Sequence, residues 1–235
     1  MKVGIIVFPG SSCETDTIHP IAEIYGTKNV DYVWYQETKL DKYDLIVLPG
    51  GFSYGDYLRP GAIAKQAPVI EAVRAAAEAG RYILGISNGF QLLTEIDLLP
   101  GALLINQGIN FICDDVDVVV ENNETTFTLL YSAGEQLRLP IAHGHGNYFC
   151  ESEELAELED NRRIVLRYAA NGEKPNSTAG GNPNGSMANI AALTNPAGNV
   201  LGIMPHIDRA LDKETGSDAG IRLFESILKS WGDKR

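Results

Sequence analysis

Gly85-Ile86-Ser87-Asn88-Gly89 constrains this chain more than any other stretch, because an apolar run, Tyr82 to Leu84, leads into it and a helical pattern, Phe90 to Leu93, leads out. A strand that turns sharply into a helix lifts its central side chain above the sheet edge, and the flanking glycines fit where a Cβ would collide. The helix beneath adds backbone N–H donors and the positive end of its dipole, so an oxyanion formed at Ser87 would meet fixed partial charges. Acyl transfer is the chemistry such an elbow serves. The bland alternative is a glycine-rich turn that only packs closely.

A second site lies far downstream in Met204-Pro205-His206-Ile207-Asp208. In an extended segment residues i and i+2 project to one side, so an imidazole can face the nucleophile while a carboxylate holds its tautomer. The chain order is nucleophile, histidine, acid, with the last two nearly adjacent. An α/β-hydrolase runs serine, acid, histidine, so an ordinary esterase is disfavoured.

Periodicity gives alternating strands and helices. Val3 to Phe8 reads as a buried strand, Ser11-x-x-Glu14 as a capping box opening a helix that ends near Gly26, and Tyr32 to Tyr35 and Leu45 to Leu48 as further strands. Val69 to Ala79 reads as a helix stopped by Gly80, ahead of the elbow. This alternation implies a parallel sheet covered on both faces, with the site at the carboxyl ends of its strands. Val116-x-Val118-x-Val120, a turn at Asn122-Asn123 and the β-formers Thr125 to Leu130 predict an added antiparallel hairpin. Ile190 to Leu193 and Val200 to Met204 return to the core sheet, and Ile221 to Trp231 closes as an amphipathic helix. The Gly, Asn, Pro and Ser of 171–186 predict a mobile surface loop. One domain over 1–235 is expected.

A net charge of −12 disfavours nucleic acid and anionic membrane as partners. Pro9-Gly10 stops the first apolar run too early for a secretory signal, and no run spans a bilayer, so a cytoplasmic location is expected. Cys13, Cys113 and Cys150 are an odd set without metal-ligand spacing and read as free thiols. Cys13, at a helix start, is either a reactive thiol or a small packing residue. His143 and His145 lack a carboxylate or cysteine at supporting spacing, so no metal is expected.

The elbow and the His206 segment together resemble class I glutamine amidotransferases, which carry G-x-C-x-G and H-x-E at these places. Longer strings, Val47 to Arg59, Val7 to Ser11, Asn88 to Gln91, Val120 to Glu124, Pro140 to Gly144, Asn182 to Ser186 and Leu223 to Ile227, resemble the glutaminase subunits of phosphoribosylformylglycinamidine synthase over nearly the whole chain. The resemblance implies a flavodoxin-like α/β fold and glutamine hydrolysis through a glutamyl-enzyme. Ammonia would pass to a separate formylglycinamide ribonucleotide synthetase subunit in purine biosynthesis, and a further partner would be a small accessory subunit. No cofactor is expected in this chain; ATP and magnesium belong to the synthetase. By position, Ser87, His206 and Asp208 form the triad, Gly51, Phe52 and Asn88 supply oxyanion donors, and Gln91, His143 and Gly144 line the substrate pocket.

The departures fall on the chemistry. Serine replaces the family's cysteine, aspartate its glutamate, and Ile207 the proline between them. A thiol near an imidazolium reaches the anion at neutral pH, whereas a hydroxyl must lose its proton in step with attack. Asp208, one methylene short, is expected to reach His206 by a shifted backbone or through water. Impaired glutaminase activity follows. The alternatives are a noncatalytic partner-binding homologue and a serine amidase for another small amide.

Overall fold

Leu45-Ile46-Val47-Leu48 is buried at every position, as a strand covered on both faces must be. A computed structural model describes residues 1–169, 181–212 and 216–233. In chain order its strands are β1 (Val3–Val7), β2 (Val30–Trp34), β3 (Leu45–Leu48), β4 (Tyr82–Ile86), β5 (Ala102–Leu104), β6 (Ile112–Val120), β7 (Gln136–His143), β8 (Asn147–Phe149), β9 (Ile164–Tyr168), β10 (Ile190–Thr194) and β11 (Val200–Ile203). The helices are α1 (Glu14–Tyr25), α2 (Val69–Glu78), α3 (Asn88–Glu95), α4 (Ser152–Asp160) and α5 (Ile221–Asp233).

The main sheet has the order β2-β1-β3-β4-β11-β10-β9-β6-β7. Its first five strands pair in parallel, and β10, β9, β6 and β7 extend it antiparallel. The parallel part is what the alternation of elements implies, and the mixed, flavodoxin-like whole is what the family resemblance implies. Neighbouring side chains on one strand enter opposite cores. Ile5, Leu45 and Val47 pack with Ile21, Phe224 and Ile227 of α1 and α5. Ile6, Ile46 and Leu48 pack with Val73, Phe90 and Leu93 of α2 and α3.

Two local expectations fail. Ser11 does not cap α1: its hydroxyl bonds the N–H and C=O of Phe8, tightening the turn after β1, and the cap position is Cys13 without a side-chain bond. The hairpin exists, but β6 pairs with β7 and Thr125 to Leu130 forms turns instead of a strand. The Asn122 carboxamide accepts from the Glu124 N–H, and Thr125 and Thr128 bond each other's hydroxyls, so these side chains compete with a ladder. Phe127 is then buried edge-on against Tyr82. Of 171–186, residues 171–180 lie outside the described set. The remainder is fastened down: the Asn182 carboxamide accepts from the N–H groups of Asn184, Gly185 and Ser186, and Asn184 is fully buried. No described helix is long and apolar enough to cross a membrane.

Candidate active site

β4 and β11 are parallel neighbours with Ile86 opposite Ile203, so the segments that follow them emerge side by side at one sheet edge. The Ser87 N–H donates to the Ile203 carbonyl at 2.8 Å. Ser87 sits at φ 51° and ψ −106°, a conformation that costs a side-chain-bearing residue energy, and it directly precedes α3. A Cβ on Gly89 would lie 2.0 Å from the Leu48 carbonyl oxygen, so only glycine lets the elbow helix approach β3 this closely. The sequence reading of a strained elbow thus has its steric reason.

His206 is 2% exposed, and its N–H donates to the Pro140 carbonyl at 2.8 Å. Its Nδ1 lies 3.2 Å from Asp208 Oδ1. The contact is direct and needs no intervening water; of the two expected routes, the backbone supplies it. The segment is not extended: Ile207–Arg209 form a 3₁₀ turn, which swings the shorter aspartate back under the imidazole. Burial by itself would raise the Asp208 carboxyl, but the hydrogen bond and charge of His206, with the Thr17 hydroxyl and Arg209, hold it below the usual carboxylate range. A carboxylate at Nδ1 assigns the proton of a neutral imidazole to that nitrogen and leaves Nε2 as the acceptor, the form a general base requires.

The loop after β3 closes the third side. A Cβ on Gly50 would lie 2.5 Å from His206 Cε1, so the loop and the imidazole are in close contact. Gly51 has φ 111° and bridges to Ser11. Tyr54, Gly55 and Asp56 then follow at positive φ. What fixes this loop is the Asn88 side chain, for which the sequence supplied only a backbone role. Its oxygen accepts from the Ser53 N–H at 3.1 Å, and its amide donates to Asp56 Oδ1 at 3.1 Å and Gln91 Oε1 at 2.9 Å. Burial pushes the half-buried Asp56 carboxyl up to about 6, against the opposing bond from Asn88.

Of the three residues expected to line a pocket, Gln91 and His143 spend their polar groups on internal bonds. Gln91 uses its amide internally, accepting from Asn88 and donating to the His145 carbonyl at 2.7 Å. His143 is buried with Nδ1 3.1 Å from Asn106 Oδ1 and Nε2 3.5 Å from Asn184 Nδ2, so amides occupy both nitrogens. Burial, with the nearby His206, pushes its imidazole down to about 4. It braces the wall instead of offering polar groups. Gly144 is half-buried and its carbonyl accepts from the Asn106 N–H. Asn106 and Thr17 carried no signal in the sequence, and Asp56 and Asn184 appeared only inside longer strings with no role, since an isolated amide, carboxylate or hydroxyl has no spacing that announces its partner. Cys13 is buried, and burial with the charge of Asp208, opposed by Arg209, pushes its thiol up to about 11, the state of a packing residue. In the loop after β3 and just beyond it Phe52, Tyr57 and Leu58 are exposed, as are Ile109 and Phe111, with the Phe52 and Phe111 rings 6.2 Å apart. Among the described residues no group of three His, Cys, Asp or Glu side chains is placed to hold a metal.

Known proteins share this fold. Two solved structures share the fold at low identity: a protein proposed as one subunit of a GMP synthase from Thermoplasma acidophilum (14% identity, TM-score 0.65, covering 100% of this chain and 96% of that one) and a glutamine amidotransferase from Thermotoga maritima (17%, TM-score 0.61, 100% and 85%). A chain of PurLQS from Thermotoga maritima is 44% identical with a TM-score of 0.86, covering 98% of each chain. Residues 1–225 match the family described as the CobB/CobQ-like glutamine amidotransferase domain. With nine-tenths of its length matched and the elbow, the His206 segment and the intervening loop converging at one sheet edge, the chain belongs to the CobB/CobQ-like glutamine amidotransferase family.

Proposed function

We propose that this chain is the glutaminase-type subunit of a formylglycinamide ribonucleotide amidotransferase, with its hydrolytic step slowed by the serine at position 87. The observation that carries the reading is the strained Ser87 beside a buried His206–Asp208 couple, under a loop clamped by Asn88. Ser87 Oγ attacks the side-chain amide carbon of glutamine while His206 Nε2 takes the hydroxyl proton. The N–H groups of Asn88 and of Gly51 or Phe52 receive the oxyanion. Collapse returns the proton to the leaving nitrogen and releases ammonia; water then repeats the sequence and frees glutamate.

Two observations support a synthetase partner: the 44% identical relative is a chain of an assembly named PurLQS, and Phe52 of the loop beside His206 is exposed together with its neighbour Phe111. ATP and magnesium would act on that partner. A small accessory subunit would complete the assembly. The serine itself favours one second reading, a subunit that binds its partner while free ammonia serves the reaction. Ammonia release from glutamine, measured with and without the synthetase, separates the two. Slow release that requires Ser87 supports hydrolysis, and none in any state supports the noncatalytic subunit.

A further inference from the structure

Thr17 lies on α1, 191 residues before Asp208 in the chain, and is completely buried. Its Oγ1 stands 2.9 Å from Asp208 Oδ2, while Asp208 Oδ1 faces His206 Nδ1 at 3.2 Å. The hydroxyl also lies 2.6 Å from the Cys13 carbonyl, and it has only one proton to give. That carbonyl already accepts the Thr17 backbone N–H at 2.9 Å. The proton therefore goes to the carboxylate, where the bond is charge-assisted and stronger. Without it Oδ2 would be a buried charged oxygen lacking its hydrogen-bond donor.

From this geometry we infer that Thr17 is a positioning residue, a fourth member of the relay that locks the short Asp208 side chain in the rotamer serving His206. One oxygen of Asp208 faces the imidazole while the other is held by Thr17 of α1, which fixes the carboxylate in that orientation. The hydroxyl is needed, not the volume: valine would fill the same space and leave Oδ2 bare. Only the catalytic arm of the test rests on the hydrolytic reading above.

The experiment compares Thr17→Val with Thr17→Ser in the full chain. A proton NMR spectrum at low temperature reports an imidazole N–H held by a carboxylate as a resonance far downfield, assigned by its loss in His206→Asn. It should persist in the unaltered chain and in Thr17→Ser, and vanish or move upfield in Thr17→Val. In the Ser87→Cys background, labelling by a glutamine-derived chloroketone should slow by about tenfold or more with Thr17→Val, at an unchanged half-saturating concentration, and recover with Thr17→Ser. An unchanged resonance in Thr17→Val, with both variants labelling alike, would overturn the inference. If the Ser87→Cys chain takes no label at all, the glutamine reading fails while the resonance still decides the role of Thr17. Should the valine variant not fold, Thr17→Ala is read in the same two assays.

Discussion

Ser87 holds a positive φ because Gly89 lets α3 press against Leu48, and that dependence is measurable. Gly89→Ala should destabilise the chain by about 3 kcal/mol in denaturant unfolding, since backbone on the far side cannot yield as a side chain would. A cost under roughly 1 kcal/mol would mean that the approach of helix to strand is looser than the structure has it. Asp56 tests the electrostatics. Its folded value near 6 stands above the unfolded value of about 3.9, so the folded state binds the extra proton and stability falls as pH rises from about 4 to 6. Asp56→Asn should therefore stabilise the chain above pH 6, by about 1 kcal/mol after allowance for solvent screening, and change little below pH 4. Thermal unfolding of both proteins across that range checks the sign. Asp208 reverses a simpler expectation. On residue types alone, restoring glutamate should improve the triad. With Asp208 already touching His206 in a packed site, Asp208→Glu should instead lower the labelling rate of the Ser87→Cys chain, because the added methylene has no room.

At the scale of elements, the site is an agreement among three strand ends, and Asn88 is the side chain that enforces it. Asn88→Ala should leave the fold intact but free the Phe52–Asp56 segment, slowing electrophile labelling in the Ser87→Cys background by about tenfold or more. Labelling at an unchanged rate would show that the loop holds its shape alone. Strands buried on both faces, such as Leu45–Leu48, were legible because continuous apolar runs have few other uses. The elbow was legible because its glycines answer a steric demand. Thr125 to Leu130 misled because β-branched residues also serve turns closed by their own hydroxyls. The His206–Asp208 contact was legible as a pair but not in its backbone, since no periodicity distinguishes a single 3₁₀ turn from an extended link. The side-chain bonds of Asn88, and those by which Asn106 and Asn184 hold His143, were not legible because most of these partners are distant in the chain and unordered in type.

The whole molecule sets a site between two cores, with α1 and α5 on one face of the sheet and α2 and α3 on the other, and leaves Phe52 of the site loop and its neighbour Phe111 exposed. Leu58, two residues beyond the site loop, is 90% exposed at a positive φ. Leu58→Asp should leave unfolding unchanged and weaken association with the synthetase by about tenfold or more, read by sedimentation of the mixture. Equal affinity would place the docking face elsewhere. The central claim is that Ser87 occupies the nucleophile position of a glutamine-cleaving site whose remaining parts are in working order. Ammonia release from glutamine by the unaltered chain and by Ser87→Cys, each with the synthetase present, tests it most directly. Turnover should lie well below the ordinary range of roughly 1 to 10³ per second for the serine chain and rise by about a hundredfold or more in the cysteine variant. Ordinary turnover by the serine chain, or no gain from the cysteine, would contradict that claim.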